Sequence, residues 1–331
     1  MPTELDLGPS ARAFGDEVRG WLEANRPEEL AGVEAEQLAL QRLPGAEGWA
    51  RKLHEAGLMC VSWPKEYGGR GLGGVEVAVL NEEFARAGVP RLTRGMGEWL
   101  VGPSIIVWGS DEQKAHFLPR IIDGTDRYCQ GFSEPDAGSD QSLFTETFIT
   151  EARAPLFNVI GGLHGGWRVS MTTLGNERGG NATTQHVQYE KQFRAVLDEV
   201  RKLGRETDPI VRQHLAWVWT HVQIMRYQGL RTLSAVVARK EPGPASALNK
   251  MFWSEYAQRL GELVINIRGA DSMVMPGGAT DRGRYEPDRW QRTFLGTRSV
   301  TIWGGTAQVQ RNIVGERVLG LPKDPPPGGE R

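Results

Sequence analysis

The sequence predicts a mainly α protein: an N-terminal helical domain and a C-terminal helical bundle, with a vestigial β segment between them. Three observations predict it. Apolar residues recur at helical spacing through most of residues 10–125 and again from 166 to 319. Capping residues, glycines and prolines punctuate those stretches where helices should start and stop. The one run with clear strand alternation, FTETFIT at 144–150, is short, and one or two isolated strands are not stable in water on their own. The expected boundaries are 1–127 for the N-terminal domain, 128–164 for the β remnant, 165–322 for the bundle and 323–331 for a tail.

The first helix is expected at 10–25, where Phe14, Val18, Trp21 and Leu22 share a face and Pro27 follows. A second covers 45–56, with Trp49 and Leu53 on one side and Gly57 as its stop. LMCVSWPKEYGGRGLGG, with Pro64 and glycines at 68, 69, 71, 73 and 74, reads as a structured loop. Helices then follow at 75–87 and 98–109, and Asp111 is expected to cap DEQKAHFLPRII, which buries Phe117, Leu118 and Ile121. Tyr128–Asp140 starts like a strand and runs into Pro135 and Gly138. One long helix is predicted over 166–203, a second from Asp208 and Pro209 to about 239, and a third over 245–268. Three long helices with short turns form a bundle. A Gly-rich loop at 270–284, a short helix near 288–297 and a last helix at 306–319 complete the chain.

The chain has 331 residues, 39% hydrophobic and 24% charged, so it can bury a core. A net charge of −2 excludes general nucleic-acid binding. No apolar run is long enough for a membrane span, and MPTELDLGPS is too polar for a signal peptide, which makes a cytoplasmic protein the expectation. Cys60 and Cys129 are far apart, without metal-type spacing, and read as buried thiols. There is no HExxH, no GxSxG, and no GxGxxG after a strand.

Two stretches carry candidate chemistry. In GGWRVSMTTLGNERGG, Trp167, Met171 and Leu174 recur at the spacing of one helix face. Arg178 then falls within that apolar stripe and Glu177 at its edge, and two glycines follow, each costing about 1 kcal/mol in a helix interior. A part-buried Glu–Arg pair beside such glycines makes room for a ligand; its plainer reading is a helix-surface Glu paired with an arginine. In TIWGGTAQVQRNIVGERVLGLP, Thr306 is a good N-cap after Gly304 and Gly305, an arrangement that suits a phosphate and also any ordinary capped helix.

Together and in order, GLMCVSWPKEYGG, QGFSEPDAGSD, GGWRVSMTTLGNERGG and TIWGGTAQVQRNIVGERVLGLP resemble the acyl-CoA dehydrogenase family over nearly the whole chain. The resemblance implies a helical N-terminal domain, a middle β-domain and a C-terminal four-helix bundle. It also implies FAD, oxidation of an acyl-CoA thioester to the α,β-enoyl form, electron-transfer flavoprotein as electron acceptor, and a homo- or hetero-oligomer. Carried over onto this sequence, the FAD contacts are Gln130, Phe132, Ser133, Gly138, Ser139, Thr306 and Gln308, and Ser139 and Arg178 meet substrate.

The sequence departs from the family pattern in three places. The commonest base is a Glu directly before the Gly-Thr of the last motif, and Gly304 stands there; a minority places the base in the first bundle helix before an Arg, which Glu177–Arg178 matches. The RxxFG segment is absent, and YEKQFRAVLDEVRKLGR at 189–205 is similar to that of heteromeric members from steroid or side-chain degradation. On the order of a hundred residues of the β-domain, a closed β-unit by size, have no counterpart between Asp140 and Phe144. Two alternatives therefore stand beside the enzyme: a non-catalytic helical subunit of a heteromer with an intact homologue, or an inactive deletion product.

Overall fold

A computed structural model describes residues 8–33, 45–131, 154–179, 185–238, 246–274 and 287–323. Among them there are helices, turns and bends but no strand. The chain divides into two units, 1–184 with 233–240, and 185–232 with 241–331.

In the first unit, α1 (Gly8–Asn25), α2 (Ala46–Glu55) and α3 (Gly74–Ala87) bury the faces their periodicity predicts. Phe14, Val18, Leu22, Trp49, Leu53, Leu80 and Phe84 form one core. Trp49 stacks on Trp21 with ring centroids 5.4 Å apart, and its indole donates to the Pro90 carbonyl at 2.9 Å. At Gly15, α1 and α3 approach so closely that a Cβ would sit 2.9 Å from Val79 Cγ1. The Arg19 guanidinium forks onto Glu83 at 3.0 and 2.8 Å, closing the same contact at its rim.

A π turn (Gly97–Val101) leads into α4 (Gly102–Trp108), and α5 (Asp111–Asp123) follows. The α5 cap is Ser110, one residue before the predicted Asp111. Ser110 Oγ accepts from Gln113 N at 3.2 Å while Ser110 N donates to Gln113 Oε1 at 2.9 Å, a reciprocal capping box. Gln113 Nε2 in turn donates to the carbonyls of Phe157 and Val159 at 2.6 and 3.0 Å. The described part of the middle segment is thereby fixed to α5. Leu156–Asn158 is a 3-10 turn, and Phe157 stacks on Phe117. Tyr128–Gly131, expected to start a strand, has no regular structure, and FTETFIT lies outside the described residues.

Beneath these helices Trp63 and Glu98 are almost fully buried. The Trp63 indole donates to the Glu98 carbonyl at 3.1 Å, and a Cβ on Gly102 would come within 2.0 Å of the Trp63 ring. The Glu98 carboxylate accepts from Arg94 N at 3.0 Å and lies 3.7 Å from the buried Arg91 guanidinium. Burial pushes Glu98 above the ordinary carboxylate range, against the pull of Arg91. Cys60 beside it is fully buried, its thiol pushed up by burial and by Glu98, whereas Cys129 is exposed, contrary to the expectation of two buried thiols.

The first unit also contains α6 (Gly166–Gly179), and the second contains α7 (Gln185–Lys202), so the stretch predicted as one helix holds two. The second unit continues with most of α8 (Pro209–Val237), then α9 (Ser246–Arg268), α10 (Arg289–Gly296) and α11 (Ala307–Ile313). Its core gathers Phe193, Val196, Val218, Val222, Tyr256 and Leu260. Asp208 caps α8 by accepting from Ile210 N and Val211 N, and Asp288 caps α10 in a second capping box with Gln291.

Glu98→Ala leaves the Arg94 N–H without its acceptor and the buried Arg91 guanidinium without its ion-pair partner, and is expected to lower the unfolding free energy by about 3 kcal/mol or more, read from urea melts. Because its folded-state pKa is raised, the stability contribution of Glu98 is fully present below the unfolded value of about 4.3 and is lost as pH rises through the folded value. The melting temperature of the wild type should therefore fall relative to that of Glu98→Gln as pH is raised from about 4. A pH-independent difference would show that Glu98 titrates as an ordinary carboxylate.

Candidate active site

Two stretches carry the predicted site residues, and they fall in different units. In the first unit the chain enters α6 through Gly161 and Gly162, both left-handed, with φ of 80° and 83°. Gly161 has no alternative, since a Cβ there would lie 2.6 Å from Val169 Cγ2. Arg168 donates back to the Gly161 carbonyl at 3.0 Å, and its guanidinium covers the Trp108 ring at 4.7 Å.

The face of α6 turned to α4 is its threonine face. Trp108 Nε1 donates to Thr172 Oγ1 at 2.9 Å, and Ser104 Oγ and Thr173 Oγ1 are 2.7 Å apart. The predicted apolar stripe is therefore corrected: Trp167 and Met171 are exposed. The physical reason is the pair of adjacent hydroxyls, which meet a buried serine and an indole that would otherwise lose their partners. Glu177 and Arg178 lie in the last turn of α6, and their side chains are outside the described residues. Glu177 is four residues beyond Thr173, the register position of the face turned to α4.

In the second unit the chain turns at Gly304 and Gly305, with φ of 69° and 90°, before α11. Thr306 caps that helix as predicted, its Oγ1 accepting from Val309 N at 3.2 Å. Gln308, the second residue of α11, is exposed. Gln310, which the sequence did not single out, is 1% exposed and donates from Nε2 to the Gly304 carbonyl at 3.2 Å. Its Oε1 is buried without a hydrogen-bond partner, and a Cβ on Gly305 would come within 2.4 Å of its Nε2. Its only signal in the sequence is a position three after the small Ala307, on the helix side that becomes buried. Gln130 is exposed, and Phe132, Ser133, Gly138 and Ser139 lie outside the described residues.

The turn fits a flavin cofactor in its chemistry. Two glycines let the backbone come close to a ligand and Gln308 offers an exposed amide, while the buried Gln310 holds the turn from beneath. Among the described residues no group of His, Cys, Asp and Glu side chains could hold a metal ion, and no helix is long and apolar enough to cross a membrane.

Residues 8–125 match the family description "Acyl-CoA dehydrogenase, N-terminal domain", and residues 164–319 match "Acyl-CoA dehydrogenase, C-terminal domain". The chain is 33% identical to acyl-CoA dehydrogenase IpdE1 of Mycobacterium tuberculosis, over 94% of this chain and 98% of that protein. It is 30% identical to IpdE1 of Mycolicibacterium smegmatis, again over 94% and 98%. The first alignment spans 392 positions, more than the 331 residues of the chain, so that relative carries residues with no counterpart here. Among solved structures, the Tcur3481-Tcur3483 steroid ACAD superposes with a TM-score of 0.73 at 22% identity, covering 97% of this chain and all of that one. The ChsE4-ChsE5 complex from M. tuberculosis gives 0.71 at 21%, covering 98% and 100%. At those identities the likeness is one of fold.

Gly305→Ala places a side chain at a left-handed φ and against Gln310, and should destabilise the protein by about 1–2 kcal/mol. Added to Gln310→Ala it should cost less than it does alone, with a coupling of about 0.5 kcal/mol or more in a double-mutant cycle of urea midpoints. Strict additivity would mean that Gln310 does not hold the turn.

Proposed function

The chain belongs to the acyl-CoA dehydrogenase family, and from that premise we propose that it oxidises an acyl-CoA thioester to the α,β-enoyl-CoA with Glu177 as the base. The observation that carries this reading is Gly304. It stands at the position of the commonest base, has no side chain, and holds a left-handed φ of 69° that an L-residue adopts at a cost. From Thr301 to Asn312 there is no carboxylate at all. A base must then come from elsewhere, and Glu177, followed by an arginine in α6, is in the alternative place.

Glu177 takes the proton from the carbon α to the thioester carbonyl. For that it needs a desolvated carboxylate held within hydrogen-bond reach of the C–H. The developing enolate oxygen needs donors aimed at it, and Ser139 and Arg178 are proposed to bind and orient the acyl-CoA. FAD, when bound, supplies the two-electron acceptor for the β-hydrogen. Gln130, Phe132, Ser133, Gly138, Ser139, Thr306 and Gln308 are proposed to hold it, and electron-transfer flavoprotein to reoxidise it. The acyl group proposed is a bulky or steroid-derived one.

A second reading is favoured by the residues of the relative that have no counterpart here: a non-catalytic helical subunit that works beside an intact homologue. The purified protein separates the two. The enzyme reading expects a yellow protein with one flavin per chain. Glu177→Gln should keep that flavin and lower acyl-CoA turnover by about a hundredfold or more. A colourless protein that takes up no added FAD would favour the subunit, and turnover within a few-fold of wild type would remove Glu177 from the role.

A further inference from the structure

The hydroxyl pair between α4 and α6 has more contacts than protons. Ser104 Oγ lies 2.8 Å from the Leu100 carbonyl, Thr173 Oγ1 lies 3.1 Å from the Val169 carbonyl, and the two hydroxyl oxygens are 2.7 Å apart. Each hydroxyl carries a single proton, so one of these contacts always goes without. Either Thr173 donates to Ser104 and Ser104 to Leu100, or Ser104 donates to Thr173 and the Thr173 proton is left for Val169 or for another acceptor. The Val169 carbonyl already accepts the α6 ladder bond from Thr173 N and does not need that proton. A tie between the two helices is also supplied one position away, where Trp108 donates to Thr172.

The pair stands one turn before the candidate base. Trp108, at the end of α4, meets Arg168 and Thr172, while Ser104, one turn earlier, meets Thr173, so the two helices run in opposite directions. Position 177, one turn beyond Thr173 on the same face, therefore lies toward the π turn at Gly97–Val101, against which α6 packs. α4 carries no ionisable side chain, and the π turn carries only Glu98, which Arg91 and the Arg94 N–H already engage.

We propose that Thr173, backed by Ser104, is a positioning residue for the base, its hydroxyl holding the Glu177 carboxyl in both of its protonation states. The inference rests on the reading of Glu177 given above. Helix side chains lean toward the N-terminus, which brings an acid at 177 over the turn of Thr173. As a carboxylate it accepts from Thr173 Oγ1, while Ser104 donates to Thr173 and polarises it. Once Glu177 has taken the proton from the α-carbon, its new O–H donates to Thr173 Oγ1. The Thr173 proton then turns to Ser104 Oγ, and the Ser104 proton to the Leu100 carbonyl. The hydroxyls rotate and exchange no proton, so the only bond to hydrogen that forms in the pair and the acid is the one on Glu177.

Carbon NMR on the full chain, labelled at the glutamate carboxyl carbons, reads the Glu177 titration directly, its resonance identified by its loss in Glu177→Gln. Thr173→Val should move the midpoint upward by about one pH unit, because the hydroxyl serves the charged form better than the neutral one. Thr173→Ser, which restores a hydroxyl, should return the midpoint to that of wild type. Thr172→Val, which cuts the neighbouring tie to Trp108, should leave it unmoved. Ser104→Ala should raise it by less, and decides the matter should Thr173→Val not fold. An unmoved midpoint in the folded variant, a shift that serine fails to reverse, or an equal shift in Thr172→Val would overturn the role of Thr173. Acyl-CoA turnover separates this role from the base itself. A Glu177→Gln as active as wild type removes the base, and the positioning role with it. An inactive Glu177→Gln with an unmoved midpoint in Thr173→Val removes only the hydroxyl pair.

Discussion

A single side-chain amide joins the first helical unit to the segment that introduces the candidate base. Gln113 gives its oxygen to the Ser110 N–H, closing the α5 cap, and its two amide protons to the carbonyls of Phe157 and Val159. All three of these polar commitments are met at once. That matters because the 155–160 segment has no strand or helix ladder with which to satisfy its own backbone. Without Gln113 those carbonyls would lose their donor, and the segment would be held by the Phe157–Phe117 stack before Arg168, Thr172 and Thr173 fix α6 itself.

The same unit accepts a second concentrated polar feature in its core. Glu98, Arg91 and Arg94 are tied to each other, to Asn81 and to the Ile122 carbonyl around the Trp63 indole. Buried ionic clusters contribute little net stability compared with apolar packing, but they penalise every arrangement that separates their members. Here the cluster links Trp63, the loop at 91–94 and the π turn that leads into α4, which a hydrophobic core alone would hold with less definition. The close approach of Gly102 to the Trp63 ring depends on that definition.

Much of the fold was legible because helix periodicity is a local property. α1, α2, α3 and α9 fall within about two residues of their expected limits, as assignment tolerance allows. The Thr306 cap was legible too, because a hydroxyl before an apolar helical run has one good use. What the sequence could not convey was which face of α6 turns inward. Periodicity groups Trp167 with Met171, but only Ser104 and Trp108, some 60 residues earlier, decide that the threonines beside them are the buried set. The Ser110 cap could have been read from Ser-Asp-Glu-Gln, since the glutamine three residues on is the partner a capping box needs. Gln310 could not, because a lone amide in a short helix reveals nothing until the glycine turn folds over it.

The handedness of Gly304 also bears on how this chain could change over generations. A carboxylate at 304 would need a codon change and also a backbone that leaves the left-handed region, or a standing cost of about 1–2 kcal/mol if it does not. That cost is a sizeable part of the stability margin of an ordinary domain. A side chain at 304 therefore carries a conformational cost that a residue within a regular helix such as α6 does not meet.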